Sequence, residues 1–308
     1  MAAVSRFDRI AHRRTFKDRI AGPAEVLGYP STMAIGILVF SWMQHAGLPL
    51  PVSTYAALVL ATLVIVGNEI CFPYQDVWAP RRAQVLDDAI FLSVVNVLWP
   101  KALAFAAVLA VVELNRAYGW TTMQIWPTRL PQVVQFIILL LSIDFGRYWL
   151  HRAAHTFKFL WRFHAVHHSP KGLYTLNAGR FHPVEVSLQF FIDVLPFIVI
   201  GAPQPVLALY FLVYAINGFY KHANCRVRLG ILNQVISGPE LHRWHHSRCP
   251  AESCANYGTN FIIWDRFFGT RYAPNDRVVQ ELGLLNRAYP TGFLRQMIAP
   301  FCPGLDKS

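Results

Sequence analysis

Acidic side chains are scarce in this sequence. It holds 17 Asp and Glu against 28 Lys and Arg in 308 residues, and all charged residues together make 15%, where a soluble domain carries about 25%. With 54% hydrophobic residues, that shortage excludes a disordered chain and argues against a purely soluble one. The net charge of +11 rests on few residues and so must gather at particular surfaces. Cysteine is also sparse: five, an odd number, widely spaced and without a C-x-x-C pair. Neither a disulfide framework nor a cysteine zinc module follows. Internal repeats, low-complexity tracts, glycine-rich nucleotide loops and haem-attachment motifs are missing as well. Basic patches interleaved with aromatics are present, but beside long apolar runs they belong to a lipid interface rather than to nucleic acid.

Long apolar runs are abundant. Residues 1–30 form a basic lead-in with Arg6, Arg9, Arg13, Arg14, Lys17 and Arg19, too long and too charged for the start of a cleaved signal peptide. It reads either as an interfacial helix with Phe7, Ile10 and Phe16 toward lipid or as a solvated tail. Apolar runs follow at 31–48, 52–72, 89–114 and 130–150, each near the roughly 20 residues a membrane span needs. The third contains Pro100 and Lys101 and is expected to kink or break into two half-helices. Runs at 184–200 and 205–219, separated by four residues, read as a helical hairpin.

The expected fold is therefore all-α and polytopic, with about four transmembrane helices, the hairpin and a cytoplasmic helical cap. The expected division is a basic segment at 1–30, N-terminal spans at 31–129, a catalytic unit at 130–273 and an interfacial tail at 274–308. Positive charge sets orientation. The N-terminus, Arg81-Arg82, the segment from Arg147 to Arg180 and the residues Lys221, Arg226 and Arg228 all fall on one face if the N-terminus is cytoplasmic.

Histidine is crowded. Ten of the twelve histidines lie between His151 and His246, and imidazole is the commonest metal ligand. His151 and His155 stand at i and i+4 on the helix continuing the fourth run. His164, His167 and His168 form an H-x-x-H-H box, and His242, His245 and His246 repeat it. Read as helices, each such box puts its i and i+3 residues on one face and the next residue about 100° round, so it can serve two neighbouring ions. With His222, nine histidines converge on one membrane face. That exceeds the four ligands of a single tetrahedral zinc and points to two metals. Nitrogen donors alone do not choose among iron, zinc, copper and nickel. His12 and His45 fall outside the pattern.

These boxes resemble those of the fatty acid hydroxylase / sterol desaturase superfamily of integral-membrane di-iron enzymes. The resemblance covers roughly 130–273 and is carried by His151-x3-His155, His164-x2-His167-His168 and His242-x2-His245-His246. Asp144-Phe-Gly-Arg-Tyr148, Asn177-Ala-Gly-Arg-Phe-His182-Pro-Val-Glu185 and Trp264-Asp-Arg-Phe-Phe-Gly269 support it. It implies two iron ions, O2 as cosubstrate and hydroxylation or desaturation of a lipid C–H bond, or ether cleavage through hydroxylation. No electron-carrying segment is visible, so electrons must come from a partner. A small acidic protein of ferredoxin or cytochrome b5 type, with its reductase, suits the basic face, although the positive-inside rule requires basic residues there anyway. A bacterial inner membrane fits the composition better than the endoplasmic reticulum.

Around the boxes, Asp144 is expected to orient an imidazole or to pair with Arg147. His182 is expected to support a ligand, to be a tenth ligand, or to cap the helix opening at Pro183. Glu185 is read as orienting a histidine or favouring the helix dipole. Asn177 and Arg180 are read as positioning their loop, Asn217 as reaching a metal through water or bonding between helices, and Asp265 as pairing with Arg266 or Arg271. Two other classes stay open: a zinc-dependent membrane hydrolase, with Asp144 or Glu185 as base, and a metal transporter, whose ligands should lie at mid-membrane.

Overall fold

A computed structural model describes residues 16–119, 121 and 123–305. The residues before Phe16, among them Phe7 and Ile10 of the expected interfacial helix, lie outside the described residues. The chain is all-helical, with no strand among the described residues, only isolated bridges. Helices α1 (Phe16–His45) and α2 (Leu50–Cys71) come first. Then α3 (Arg82–Ile90) runs through a π-helical segment, Phe91–Leu98, into α4 (Trp99–Tyr118), and α5 (Gln132–Thr156) follows. Four helical stretches are long and apolar enough to cross a membrane: Gly22–His45, Leu50–Cys71, Arg82–Tyr118 and Gln132–Thr156. They expose Leu38, Trp42, Leu63, Phe105 and Val112, outward apolar surface that a bilayer covers and water does not.

The expected break at Pro100 does not occur. Trp99 N–H bonds Val94 O, five residues back, so the helix widens just before the proline. A π turn absorbs a residue that has no N–H to give and whose ring crowds the preceding turn. Asn96 fastens this segment to the loop below it, donating to Phe91 O at 3.2 Å and to Gly179 O at 2.5 Å.

Only Phe157, in extended conformation, separates α5 from α6 (Lys158–His168), so the chain turns a corner and the two helices pack together. The hairpin is built from α7 (Pro183–Asp193), α8 (Leu195–Val199) and α9 (Gln204–His222). Its tip turns at Gly201, whose φ of +84° suits glycine. There Val199 O and Ile200 O accept from Met123 and Trp126 N–H, at 2.7 and 3.0 Å. The hairpin thus reaches the loop joining α4 to α5.

Helix α9 packs on α1, α2 and α5, and on α10 (Pro239–His245). Tyr29, Phe40, Ala61 and Ile65 of α1 and α2 bury against Leu212, Ile216 and Tyr220 of α9. Beyond α9 the chain forms a cap of short helices and loops. The final helix, Phe293–Ile298, places Phe293 and Met297 on a cluster of Phe91, Val95, Val166 and Val186.

Candidate metal centre

The nine box histidines fall into two adjoining groups. His151, His155, His164, His168 and His245 form one; His167, His222, His242 and His246 form the other, with donor atoms in each within 4.8 Å of one another. Boxes two and three each divide between them. The division differs from the i, i+3 pairing read from the sequence: His164 goes with His168, and His242 with His246, each at i and i+4. Residues four apart are about 40° from alignment on a helix and residues three apart about 60°, so i and i+4 stack more nearly along one line.

Ring nitrogens converge inside each group. His151 Nε2 lies 3.1 Å from His164 Nε2, and His168 Nε2 lies 3.1 Å from both His164 Nε2 and His245 Nε2. In the second group His242 Nε2 is 3.0 Å from His222 Nε2 and 3.1 Å from His246 Nε2. Ligands bound to one ion at 2.0–2.1 Å stand roughly 2.9–3.4 Å apart.

The opposite edges of four rings are pinned. His151 Nδ1 donates to Tyr257 O (2.7 Å), His245 Nδ1 to Ala255 O (2.7 Å), His164 Nδ1 to Glu185 Oε1 (2.8 Å) and His222 Nδ1 to Asn177 Oδ1 (2.8 Å). A neutral ring that donates from Nδ1 carries its lone pair on Nε2, the atom facing the group. His155 Nε2, His167 Nδ1, His242 Nδ1 and His246 Nδ1 are buried without a hydrogen-bond partner. Burial, reinforced by neighbouring rings, holds His167, His168, His242 and His246 well below the ordinary histidine value, and holds His245 down to about 3. Neutral, buried, convergent imidazoles fit two nitrogen-ligated metal ions.

The residues expected to support the boxes divide. Glu185 and Asn177 each hold a box histidine by its Nδ1. Asn177 also donates to Gly172 O at 2.9 Å and accepts from Tyr174 N–H, which fixes its amide. Arg180 bonds Asp88 through Nε (2.7 Å) and Nη2 (2.5 Å), anchoring the same loop to α3.

Asp144 touches no imidazole and does not pair with Arg147. It accepts from Asn260 N–H (2.6 Å), Phe261 N–H (3.1 Å) and Trp264 Nε1 (3.1 Å). His182 lies in neither group. Its Nδ1 accepts from Val184 N–H at 3.1 Å as the N-cap of α7, and its Nε2 donates to Met297 O at 3.2 Å. A histidine directly before Pro183 is placed to cap, which takes its ring away from both histidine groups. Asn217 donates to Thr259 O and accepts from Tyr29, an interhelical and loop contact.

Asp265 is not an arginine partner. It accepts from Tyr257 and Gly258 N–H, at 2.8 and 2.7 Å, and from Thr270. A Cβ at Gly258 would meet Phe261 O and Asp265, so this turn admits no side chain there. Sequence reading missed the carbonyls of Ala255 and Tyr257 as histidine partners, since a backbone acceptor leaves no residue-type signal. The run Asn256-Tyr-Gly-Thr-Asn260 was the available clue to a tight turn.

A small chamber of about 70 Å³ adjoins both groups, lined by His151, His164, His167, His222, His242 and Glu185 among others. A larger cavity of about 410 Å³ lies among α2, α4, α7 and α9, lined by residues such as Leu50, Tyr55, Pro100, Phe190 and Phe211; Gln189 and Tyr214 line both spaces. A third, of about 440 Å³, reaches His155 and His168 past Lys158 and Arg248.

Residues 136–270 match the family model for fatty acid hydroxylases. The chain is 34% identical over 245 residues to the ornithine lipid hydroxylase of Rhizobium tropici, covering 79% of this chain and 74% of that protein. It is 34% identical to human alkylglycerol monooxygenase over 46% of this chain and 32% of the other. It is 28% identical to methylsterol monooxygenase 1 of Danio rerio over 50% and 51%. No solved structure matches. Apolar helices of spanning length, the histidine groups and a relative aligned over most of both lengths agree: the chain is an integral membrane protein that belongs to the fatty acid hydroxylase family.

Proposed function

We propose that this protein hydroxylates a membrane lipid with O2, using two iron ions held by the nine box histidines. The observation that carries the reading is the pair of adjoining all-histidine groups lining one chamber, which shares Gln189 and Tyr214 with an apolar cavity among the long helices. His151, His155, His164, His168 and His245 would hold one ion and His167, His222, His242 and His246 the other. When bound, the irons supply the activation of O2 that attack on an unactivated C–H bond needs.

The chain does the rest. Glu185, Asn177 and the carbonyls of Ala255 and Tyr257 keep each Nε2 facing inward. The apolar cavity admits a lipid chain from the bilayer, and Gln189 with Tyr214 stands where it meets the chamber. Burial of the rings keeps bulk water from the reacting carbon.

Hydroxylation is favoured over desaturation by the named activities of the three relatives. Asp144 folds the turn at 257–261 without bonding a box histidine, and His182 serves as a helix cap. The N-terminus and the histidine face would lie in the cytoplasm, of a bacterium on the strength of composition and the rhizobial relative. Electrons would arrive from a small acidic donor of ferredoxin or cytochrome b5 type with its reductase. Lys158, at the cavity that reaches His155 and His168, offers complementary charge; Arg248 beside it is already paired with Glu281.

Metal analysis of protein purified without added metal should find iron near two per chain, with O2 uptake when a reductant is supplied. Lipids of cells expressing the chain should gain one oxygen atom. Stoichiometric zinc without O2 uptake would overturn the proposal in favour of hydrolysis.

A further inference from the structure

Between the lipid-facing cavity and the chamber lies a set of polar atoms that the histidine chemistry does not use. Arg147 stands on α5 one turn before His151, about 6 Å along the axis, and Asp193 ends α7. Their ion pair is loose, with Nη1 and Oδ2 3.7 Å apart, while Arg147 Nη2 donates to Tyr214 at 2.5 Å. Tyr210 stacks on Tyr214, ring centroids 5.8 Å apart. Arg147, Asp193 and Tyr210 are exposed by only 6%, 8% and 5%. Even so, Arg147 Nη1, Asp193 Oδ1 and the Tyr210 hydroxyl have no hydrogen-bond partner. Arg147 lines the chamber, Asp193 and Tyr210 line the lipid-facing cavity, and Tyr214 lines both. The residues that carry these three groups thus line the two spaces that Tyr214 joins.

Buried polar groups without partners are costly, and ionisable ones at membrane depth mark substrate paths. A hydrocarbon chain passing this point would leave all three unmet. The geometry points to Arg147, Asp193 and Tyr210 as specificity determinants that read a polar group within the lipid, one presenting a donor beside an acceptor, as an amide does. Asp193 Oδ1 takes the donor; Tyr210 and Arg147 Nη1 take the acceptor. The apolar chain then lies among Leu50, Tyr55, Phe190 and Phe211. This rests on the proposal that the cavity is the lipid's route to the histidines. A site built to hydrogen-bond its ligand discriminates sharply against an analogue that lacks the group.

The test is binding to the full chain in detergent, with three probes of matched length: N-methylhexadecanamide (donor and acceptor), methyl hexadecanoate (acceptor only) and octadecane (neither). In the unaltered protein the amide should bind at least about tenfold tighter than the ester, and the ester tighter than the alkane. Asp193→Leu should shrink the amide-to-ester ratio to below about threefold. Tyr210→Phe, which removes a single unbonded oxygen and keeps the stacked ring, should shrink the ester-to-alkane ratio even if Asp193→Leu does not fold. Equal binding of all three probes to the unaltered protein overturns the inference, as do ratios unchanged in the variants that fold. Binding needs no turnover, so the two proposals fail separately. Lipid oxidation without probe preference removes only this one; probe preference without O2 uptake removes only the hydroxylase.

Discussion

His164 and Glu185 join across 2.8 Å from Nδ1 to Oε1, tying the second histidine box to the first turn of α7. The carboxylate fixes the tautomer and raises the basicity of the inward nitrogen. Glu185→Ala should therefore weaken metal retention about 10- to 100-fold in a chelator competition. Glu185→Gln, which keeps an acceptor, should lose less. Retention equal to wild type in the alanine variant would detach Glu185 from the centre.

The four-histidine group has no ligand to spare. His242→Ala leaves three donors there and should lower bound metal toward one ion per chain while membrane insertion persists. Elemental analysis against protein concentration measures this, and an unchanged ratio would contradict the assignment of His242.

Acid should unfold the metal-free protein through its buried rings. His245, down to about 3 in the folded chain, returns to about 6.5 when unfolded, so below neutrality the unfolded state binds more protons. The sign follows: the contribution to stability is complete above pH 6.5 and is lost as pH falls toward 3. His167, His168, His242 and His246 shift in the same direction. Thermal unfolding in detergent should show a lower midpoint at pH 5 than at pH 7.5, and equal midpoints would refute this account of the rings.

Asp144 serves the fold rather than the metals. Asp144→Asn turns an acceptor into a donor facing backbone N–H groups and should cost about 1–3 kcal/mol of stability. Metal per folded chain should stay near wild type, because no box histidine bonds to Asp144. A variant of normal stability that loses metal would reverse this assignment.

Sidedness is open to direct labelling. Cysteines placed at Lys171 and Arg248 should react with a membrane-impermeant reagent from the same side as a tag at the N-terminus. Reaction from opposite sides would break the proposed topology.

Much of the histidine clustering was legible because it comes from residue type and spacing. The boxes named all nine histidines, and the apolar runs located the helices that carry them. Their partners were less legible. Glu185 and Asn177 could be flagged as polar residues near a box, yet the carbonyls of Ala255 and Tyr257 carry no side-chain signature. Asp144 and Asp265 looked like partners for histidine or arginine, but both fold the turn at 257–261 through its amides. The contact between Arg147 and Asp193, 46 positions apart in the chain, arises only when α7 packs on α5. The third run's proline was visible; the π turn that accommodates it depends on hydrogen-bond register, which composition does not encode.

Because α6 and α10 each contribute to both histidine groups, neither ion can be seated without ordering the scaffold of its neighbour. Whichever arrives first meets the entropic cost of aligning both helices, and the second finds its nest prepared. Loading of the unaltered chain should then be cooperative, with the singly loaded form scarce during titration, and a break in either helix, unlike the loss of one ligand such as His242, should empty both nests together.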